Sequence, residues 1–355
     1  MYILTDLLVD FIIEECAYIN TNFDNFTREG AGIHQLFSNI LRKRGLGMIK
    51  LGNGNYIIGF DDGYQLGKTA NFIFNNGVHL LGSVEPTLRE NSLFYGGEYF
   101  KVGEGRAAIT EDKVSDDAAM LRTMTGVAME LRNVGLHNAA VILAVGLPFS
   151  NYGRDKQKLI DYYNRQSVLD FSYEGEAYSV VVKKVIACPQ CYSAVAPRLG
   201  NMKGDYLVVD IGSKTTDVVY VQSGLPVESK SITIEKAVVK WIKEIQHDMK
   251  IQTGKEIPED EIIKIVLRKN SNFPSDYAEL IREMLHEKVH LLELELVERG
   301  YNLDYINIIY VGGGALIARD YAGKYQGYTA YDCDLCANAK GYEFLVNQME
   351  RRQMT

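Results

Sequence analysis

Apolar residues crowd positions 56–60 and stop at Asp61-Asp62-Gly63, after which polar Gln65 and Lys68 follow. That pattern predicts a buried strand entering a hairpin with a charged tip. Farther on, Ser115 is a suitable N-cap for a helix over 116–133, closed by Gly135, and 139–145 is an apolar run ending at Gly146, Leu147 and Pro148. Segments 169–173 and 178–187 flank a Glu-Gly turn and read as a hairpin; 206–210 begins another with 218–221. A helical pattern covers 234–249, polar and charged ground covers 250–272, and an amphipathic helix is predicted over 275–299. The apolar run 306–311 ends in Gly312, Gly313 and Gly314. Mixed strands with flanking helices predict an α/β architecture.

With 355 residues, 46% apolar and 24% charged, the chain can bury one large two-lobed core or two domains. The net charge is −8 and no basic arm is present, which disfavours direct DNA binding. Any link to DNA would pass through another protein. No apolar stretch of about 18 residues is available for a membrane span. The amino end carries Asp6, Asp10, Glu14 and Glu15 where a signal peptide would be basic, so the expected address is cytoplasmic, with no membrane partner. The first fifty residues differ from the rest, with an apolar opening, a polar middle, basic Arg42-Lys43-Arg44 and then Met48 just before the first strand. They read either as an appended extension over 1–47 or as an upstream start preceding a natural one at Met48. Five cysteines, an odd number, suit a reducing compartment. Cys188/Cys191 and Cys333/Cys336 have CxxC spacing that zinc or a redox bridge could use, but small buried side chains are the favoured reading.

The first charged hairpin has a counterpart. Residues 207–219 repeat its plan, with an apolar strand, Asp210, one residue, Gly212, a polar turn through Ser213, Thr215 and Thr216, then a second strand from Asp217. Either turn alone is readily a solvated loop; two of them are an internal duplication whose tips could face each other across a cleft. Glycine lets backbone N–H groups close on phosphate oxygens, and Lys68 adds a point charge. The carboxylates cannot hold phosphate, but they can hold Mg²⁺ through its waters, so that the metal offsets phosphate charge. The glycine run after 306–311 allows close approach of backbone to a flat or phosphorylated ligand, and lacks the spacing of a dinucleotide fold.

The ordered set Asp61-Asp62-Gly63…Lys68, Asp210-x-Gly212-x-x-Thr215-Thr216-Asp217 and Gly312-Gly313-Gly314 resembles the actin-like ATPases, in the group of actin, Hsp70 and sugar kinases, over residues 50–355. The Asp-Asp-Gly loop, Leu147-Pro148, Pro189-Gln190 and Ala337-Asn338-Ala339-Lys340-Gly341-Tyr342 are most similar to the plasmid-segregating ParM (StbA-like) branch. The resemblance implies a two-lobed fold with duplicated mixed sheets flanked by helices and nucleotide between the lobes, lobe I over 48–204 plus 326–355 and lobe II over 205–325. It implies ATP or GTP with Mg²⁺ organised by Asp61 and Asp210. Phosphates would be contacted by Lys68 and clamped around Asp62, Gly63, Gly212, Ser213, Thr215 and Thr216, while Gly312, Gly313 and Gly314 would border the adenosine. Gln190 falls where the family orients the attacking water; an amide positions water but is a poor base, so slow hydrolysis is implied. Glu235 or Lys236 would supply a further nucleotide contact. Head-to-tail assembly into filaments and a ParR-like DNA-binding adaptor would follow. A sugar-type kinase would need a separate aspartate base and a chaperone would need a peptide-binding domain, neither of which is found. A cell-shape homologue would bind membrane, for which 11–13 is apolar but acidic in flank.

Overall fold

The computed structural model describes residues 48–105, 118–266 and 274–353. The proposed extension over 1–47, the Ser115 cap with the first turn expected at 116–117, and part of the polar ground after 266 lie outside the described residues.

Among the described residues the first sheet has ten strands: β1 (Ile49–Lys50), β2 (Tyr56–Asp62), β3 (Leu66–Lys68), β4 (Ile73–Asn75), β5 (Val78–Gly82), β6 (Ser92–Tyr95), β7 (Glu98–Val102), β8 (Asn138–Leu147), β9 (Val168–Tyr173) and β10 (Glu176–Pro189). Their order is β4-β3-β2-β8-β10-β9-β6-β7-β5, with β1 against β2. At its centre β2, β8 and β10 run parallel, which explains the unbroken apolar run of β8, covered on both faces. One face carries α1 (Ala118–Asn133) and α2 (Phe149–Tyr163), packed through Met124, Leu131, Leu159 and Tyr162. The second sheet has, among the described residues, six strands: β11 (Asp205–Ile211), β12 (Thr216–Gln222), β13 (Leu225–Pro226), β14 (Ile232–Ile234), β15 (Asn307–Val311) and β16 (Thr329–Asp332). It buries Val209, Ile211 and Val218 against Trp241 and Ile245 of α3 (Val238–Thr253), with α4 (Glu259–Val266), α5 (Ser275–Glu298) and α6 (Ala315–Tyr321) completing that core. The two mixed sheets flanked by helices form the two-lobed actin-like fold that the motif order implied.

The last helix, α7 (Ala337–Gln353), returns to the first sheet, where Tyr342 and Val346 pack on Ile57, Ile142 and Ile186. The approach is close enough that a Cβ on Gly59 would lie 2.2 Å from the Ala339 carbonyl oxygen.

Three local readings change. The helix expected from 234 starts at Val238, because Ile234 pairs with Thr216 as part of β14 and Ala237 is fully extended. The charged ground after 250 contains α4, whose first turn is acidic and whose Ile262, Ile263, Ile265 and Val266 are buried; acids at a helix N-terminus are favourable there. Finally, β16 pairs with β15 in the second sheet, past the lobe II boundary expected at 325.

Candidate functional site

The two Asp-x-Gly hairpins fold alike. Across β2 and β3, Asp61 stands opposite Lys68, and the Gly63 N–H donates to the Leu66 carbonyl at 3.0 Å. Across β11 and β12, Asp210 stands opposite Asp217, and the Gly212 N–H donates to the Thr215 carbonyl at 2.9 Å. A Cβ on either glycine would lie 2.9 Å from the carbonyl oxygen it bonds, so tight closure of the turn selects glycine at both. The tips meet: the Ser213 hydroxyl donates to Gln65 Oε1 at 3.3 Å, joining hairpins of different sheets beside a cleft of about 540 Å³.

Charge is concentrated at the cleft floor. Lys68 Nζ lies 2.7 Å from Asp61, and Gln190 Nε2 donates to the other oxygen of Asp61 at 2.6 Å. Burial opposes the Lys68 charge, but Asp61, and behind it Asp210, outweigh burial and hold its pKa above the ordinary value. Asn338 Nδ2 donates to Asp210 at 2.9 Å, while its Oδ1 accepts the Cys191 N–H. Asp217 accepts the Thr233 hydroxyl at 2.6 Å, itself 2.6 Å from Ser150 on α2. Burial pushes the Asp210 carboxyl up to about 7, with Asp217 and Asp61 adding to it and Lys68 and Asn338 pulling back. Asp61 and Asp210 thus share one ammonium, with Asp217 adding negative charge beside Asp210. Hard oxygen donors with surplus negative charge fit Mg²⁺, which takes one or two carboxylates, keeps waters and completes its shell from phosphate. Among the described residues no group of three or more His, Cys, Asp or Glu is arranged to hold a metal alone.

Backbone pairing sets Gln190 in place. The parallel β8/β10 ladder runs to Leu147 and Pro189, and the Gln190 N–H then donates to the Leu147 carbonyl at 2.7 Å. Cys191 follows at φ +67° and turns the chain away, leaving Gln190 on the cleft floor. From the other lobe, Gly312 has φ +74°, and a Cβ there would lie 2.8 Å from Asp210 Oδ1. A Cβ on Gly314 would strike Ile211 at 2.3 Å, so the glycine run lets the end of β15 close onto β11. Beyond it the cleft becomes apolar, lined by Val238, Val239 and Ile242 of α3, Ile263 of α4 and Leu316 of α6. The first turn of α3 is anchored on the second hairpin, where the Val239 N–H donates to the Ser213 carbonyl at 3.0 Å.

The cleft brings together Asp61, Asp62, Gly63, Lys68, Gln190, Asp210, Gly212, Ser213, Thr215 and Gly312 to Gly314. It does not include Thr216, which is fully buried and donates to the Lys236 carbonyl at 2.9 Å. Thr216 opens β12 and its side chain is turned inward, while Thr215, in the turn just before the strand, borders the cleft. Asp62 borders the cleft, but Arg122 grips it with two hydrogen bonds, at 2.8 and 2.7 Å, and Asn76 adds a third at 2.7 Å. Its carboxylate holds the hairpin tip to α1. Glu235 lines the cleft, whereas Lys236 reaches Glu295 at 3.5 Å. Sequence reasoning missed Asn338 and Arg122; Asn338 sits in a segment noted only for its resemblance, and an arginine amid the apolar positions of α1 was the available signal. Cys188, Cys191 and Cys336 are buried free thiols, Cys333 is likewise buried, and burial pushes Cys188 and Cys336 up to about 12.

A model of the N-terminal domain of actin-like proteins matches residues 48–192, and a model of the C-terminal part of archaeal MreB-like actin homologues matches 208–321. Among solved structures, the chain is similar to apo ParM of pSK41, at 20% identity and TM-score 0.65, covering 84% of this chain and 99% of that one. It is similar to an archaeal actin homologue in complex with ADP, at 21% identity and TM-score 0.61, covering 82% and 99%. It is also similar to an actin-like protein solved as a filament, at 14% identity and TM-score 0.58, covering 83% and 99%. No curated protein matches the sequence significantly.

Proposed function

Two models of actin-like families together match most of the chain, and from that premise we propose that it is an actin-like protein of the ParM-type branch that binds ATP or GTP with Mg²⁺, assembles into filaments, and hydrolyses the nucleotide after assembly. The proposal extends to segregation of plasmid DNA in the cytoplasm through a ParR-like adaptor, since the acidic chain has no electrostatic footprint for DNA. The observation that carries the nucleotide reading is the tip-to-tip meeting of two like hairpins over Asp61, Lys68, Gln190 and Asp210. The ADP complex of the archaeal homologue and the filament of the other relative support it. Among the described residues no helix is long and apolar enough to cross a membrane.

In this reading the amides around Gly63 and Gly212 and the hydroxyls of Ser213 and Thr215 hold the phosphates, with Lys68 as counter-charge. Asp61 and Asp210 hold Mg²⁺, which when bound offsets phosphate charge. The apolar end of the cleft takes the base, with Gly312 to Gly314 at its border. Gln190, anchored on Asp61, orients the attacking water but does not take its proton, so turnover is slow and acts as a timer for the filament. Lobe I is assigned to 48–204 plus the tail containing α7, and lobe II to 205 through β16.

Light scattering and pelleting with Mg-ATP, Mg-ADP and no nucleotide, on the full chain and on one starting at Met48, test this. Scattering that rises with ATP, later decays, and is lost in Asp210→Ala is the expected result. Absence of polymer together with ATP turnover that awaits a small-molecule acceptor would replace the filament by a kinase.

A further inference from the structure

Tyr342 on α7 is fully buried, and its hydroxyl finds no partner of full hydrogen-bond geometry among the described residues, although the Gln190 side chain is near enough to act on it. A buried polar group without a partner is a cost that phenylalanine in the same place would avoid, so its presence calls for a reason. Its position supplies one. A Cβ on Gly146, near the end of β8, would lie 2.1 Å from the Tyr342 hydroxyl and 3.0 Å from Gln190 Cγ. The hydroxyl and the Gln190 side chain therefore abut the same point beneath the cleft floor, a point left open only because residue 146 is glycine. Gln190 Nε2 is committed to Asp61, which leaves the amide oxygen as the end that can accept from a hydroxyl. Burial, with Asp61, Cys188 and Asp210 nearby, raises the Tyr342 pKa well above its ordinary value against the opposing pull of the nearby Gln190 amide, so the hydroxyl keeps its proton and can donate.

We propose that Tyr342 is a positioning residue for Gln190, its hydroxyl donating to the Gln190 amide oxygen once nucleotide fills the cleft. The inference rests on the ATPase reading above. With Asp61 on the amide nitrogen and Tyr342 on the amide oxygen, the plane of the carboxamide is fixed. One N–H and one oxygen lone pair remain to hold a water in the cleft. Hydrogen bonds of this kind are often long or poorly aligned without ligand and tighten in the bound state, which takes the two side chains from adjacency to full pairing. Tyr342 touches neither nucleotide nor water; it acts through Gln190.

The test uses the full chain as wild type, Tyr342→Phe, Gln190→Ala and the double variant. It measures phosphate release, affinity for a non-hydrolysable ATP analogue and thermal unfolding. Tyr342→Phe is expected to lower kcat by about ten- to hundredfold, the scale of a misplaced group, with KM and analogue affinity unchanged and Tm equal or higher. The double variant is expected to be no slower than Gln190→Ala, since the two residues act as one unit. Wild-type turnover in Tyr342→Phe, additive losses in the double variant, or a fall in Tm that accounts for the lost activity would each overturn the role and leave the ATPase reading standing. A wild-type chain that neither binds the analogue nor releases phosphate would instead overturn the ATPase reading, and this role with it.

Discussion

Glu343 lies on α7, buried against the first sheet, where it accepts the Gly59 N–H at 3.0 Å. Burial pushes its carboxyl up to about 8 from an ordinary 4.5, with Glu130 adding to the rise and the Gly59 N–H and Lys340 opposing it. The folded protein therefore keeps a proton that the unfolded chain releases. Below pH 4.5 both states are protonated and the site costs nothing. Between 4.5 and about 8 the unfolded chain gains from ionising, so stability falls as pH rises, by up to about 1.4 kcal/mol per pH unit, and then levels off. The whole interval amounts to about 5 kcal/mol as an upper bound, and structural relaxation brings the expected value to about 2 to 3 kcal/mol. Glu343→Gln mimics the protonated acid and retains an oxygen for the Gly59 N–H. Urea unfolding of wild type and variant, nucleotide-free, from pH 5 to 8.5 measures the difference. The variant should be nearly equal to wild type at pH 5 and more stable by that amount at pH 8.5. A difference that does not change with pH, or wild type gaining on the variant as pH rises, would refute the reasoning.

Arg122→Met strips Asp62 of a two-point buried partner and should destabilise the protein by about 3 kcal/mol in denaturant unfolding. ATP turnover should fall with it, because the hairpin tip loses its tether. Gly312→Ala places a methyl 2.8 Å from Asp210 at φ +74°; stability should fall by about 1 to 2 kcal/mol, and nucleotide affinity by more than tenfold in a fluorescence titration. Thr216→Val removes the hydrogen bond to the Lys236 carbonyl, costing about 1 kcal/mol with nucleotide affinity unchanged. A large loss of affinity there would return Thr216 to the phosphate site.

Local physics made much of this protein legible from its sequence. Strand period, turn chemistry and helix periodicity act over a few residues, so both Asp-x-Gly hairpins, the apolar run of β8, the glycine run after β15 and α5 could be read without the fold. The duplication was visible because the same closure, a glycine N–H on a carbonyl three residues ahead, needs the same residues twice. Contacts between distant segments were not legible in that way. Arg122 reaches Asp62 from α1, Asn338 comes under Asp210 only when α7 crosses back to the first lobe, and Tyr342 meets Gln190 above Gly146 through three separate elements. Thr215 and Thr216 are indistinguishable by type in the sequence, and the packing of the second lobe decided which of them faces the cleft. Likewise Ile234 carries a helical pattern, and pairing with Thr216 makes it a strand residue, because edge hydrogen bonds supplied by a distant strand outweigh a weak local preference.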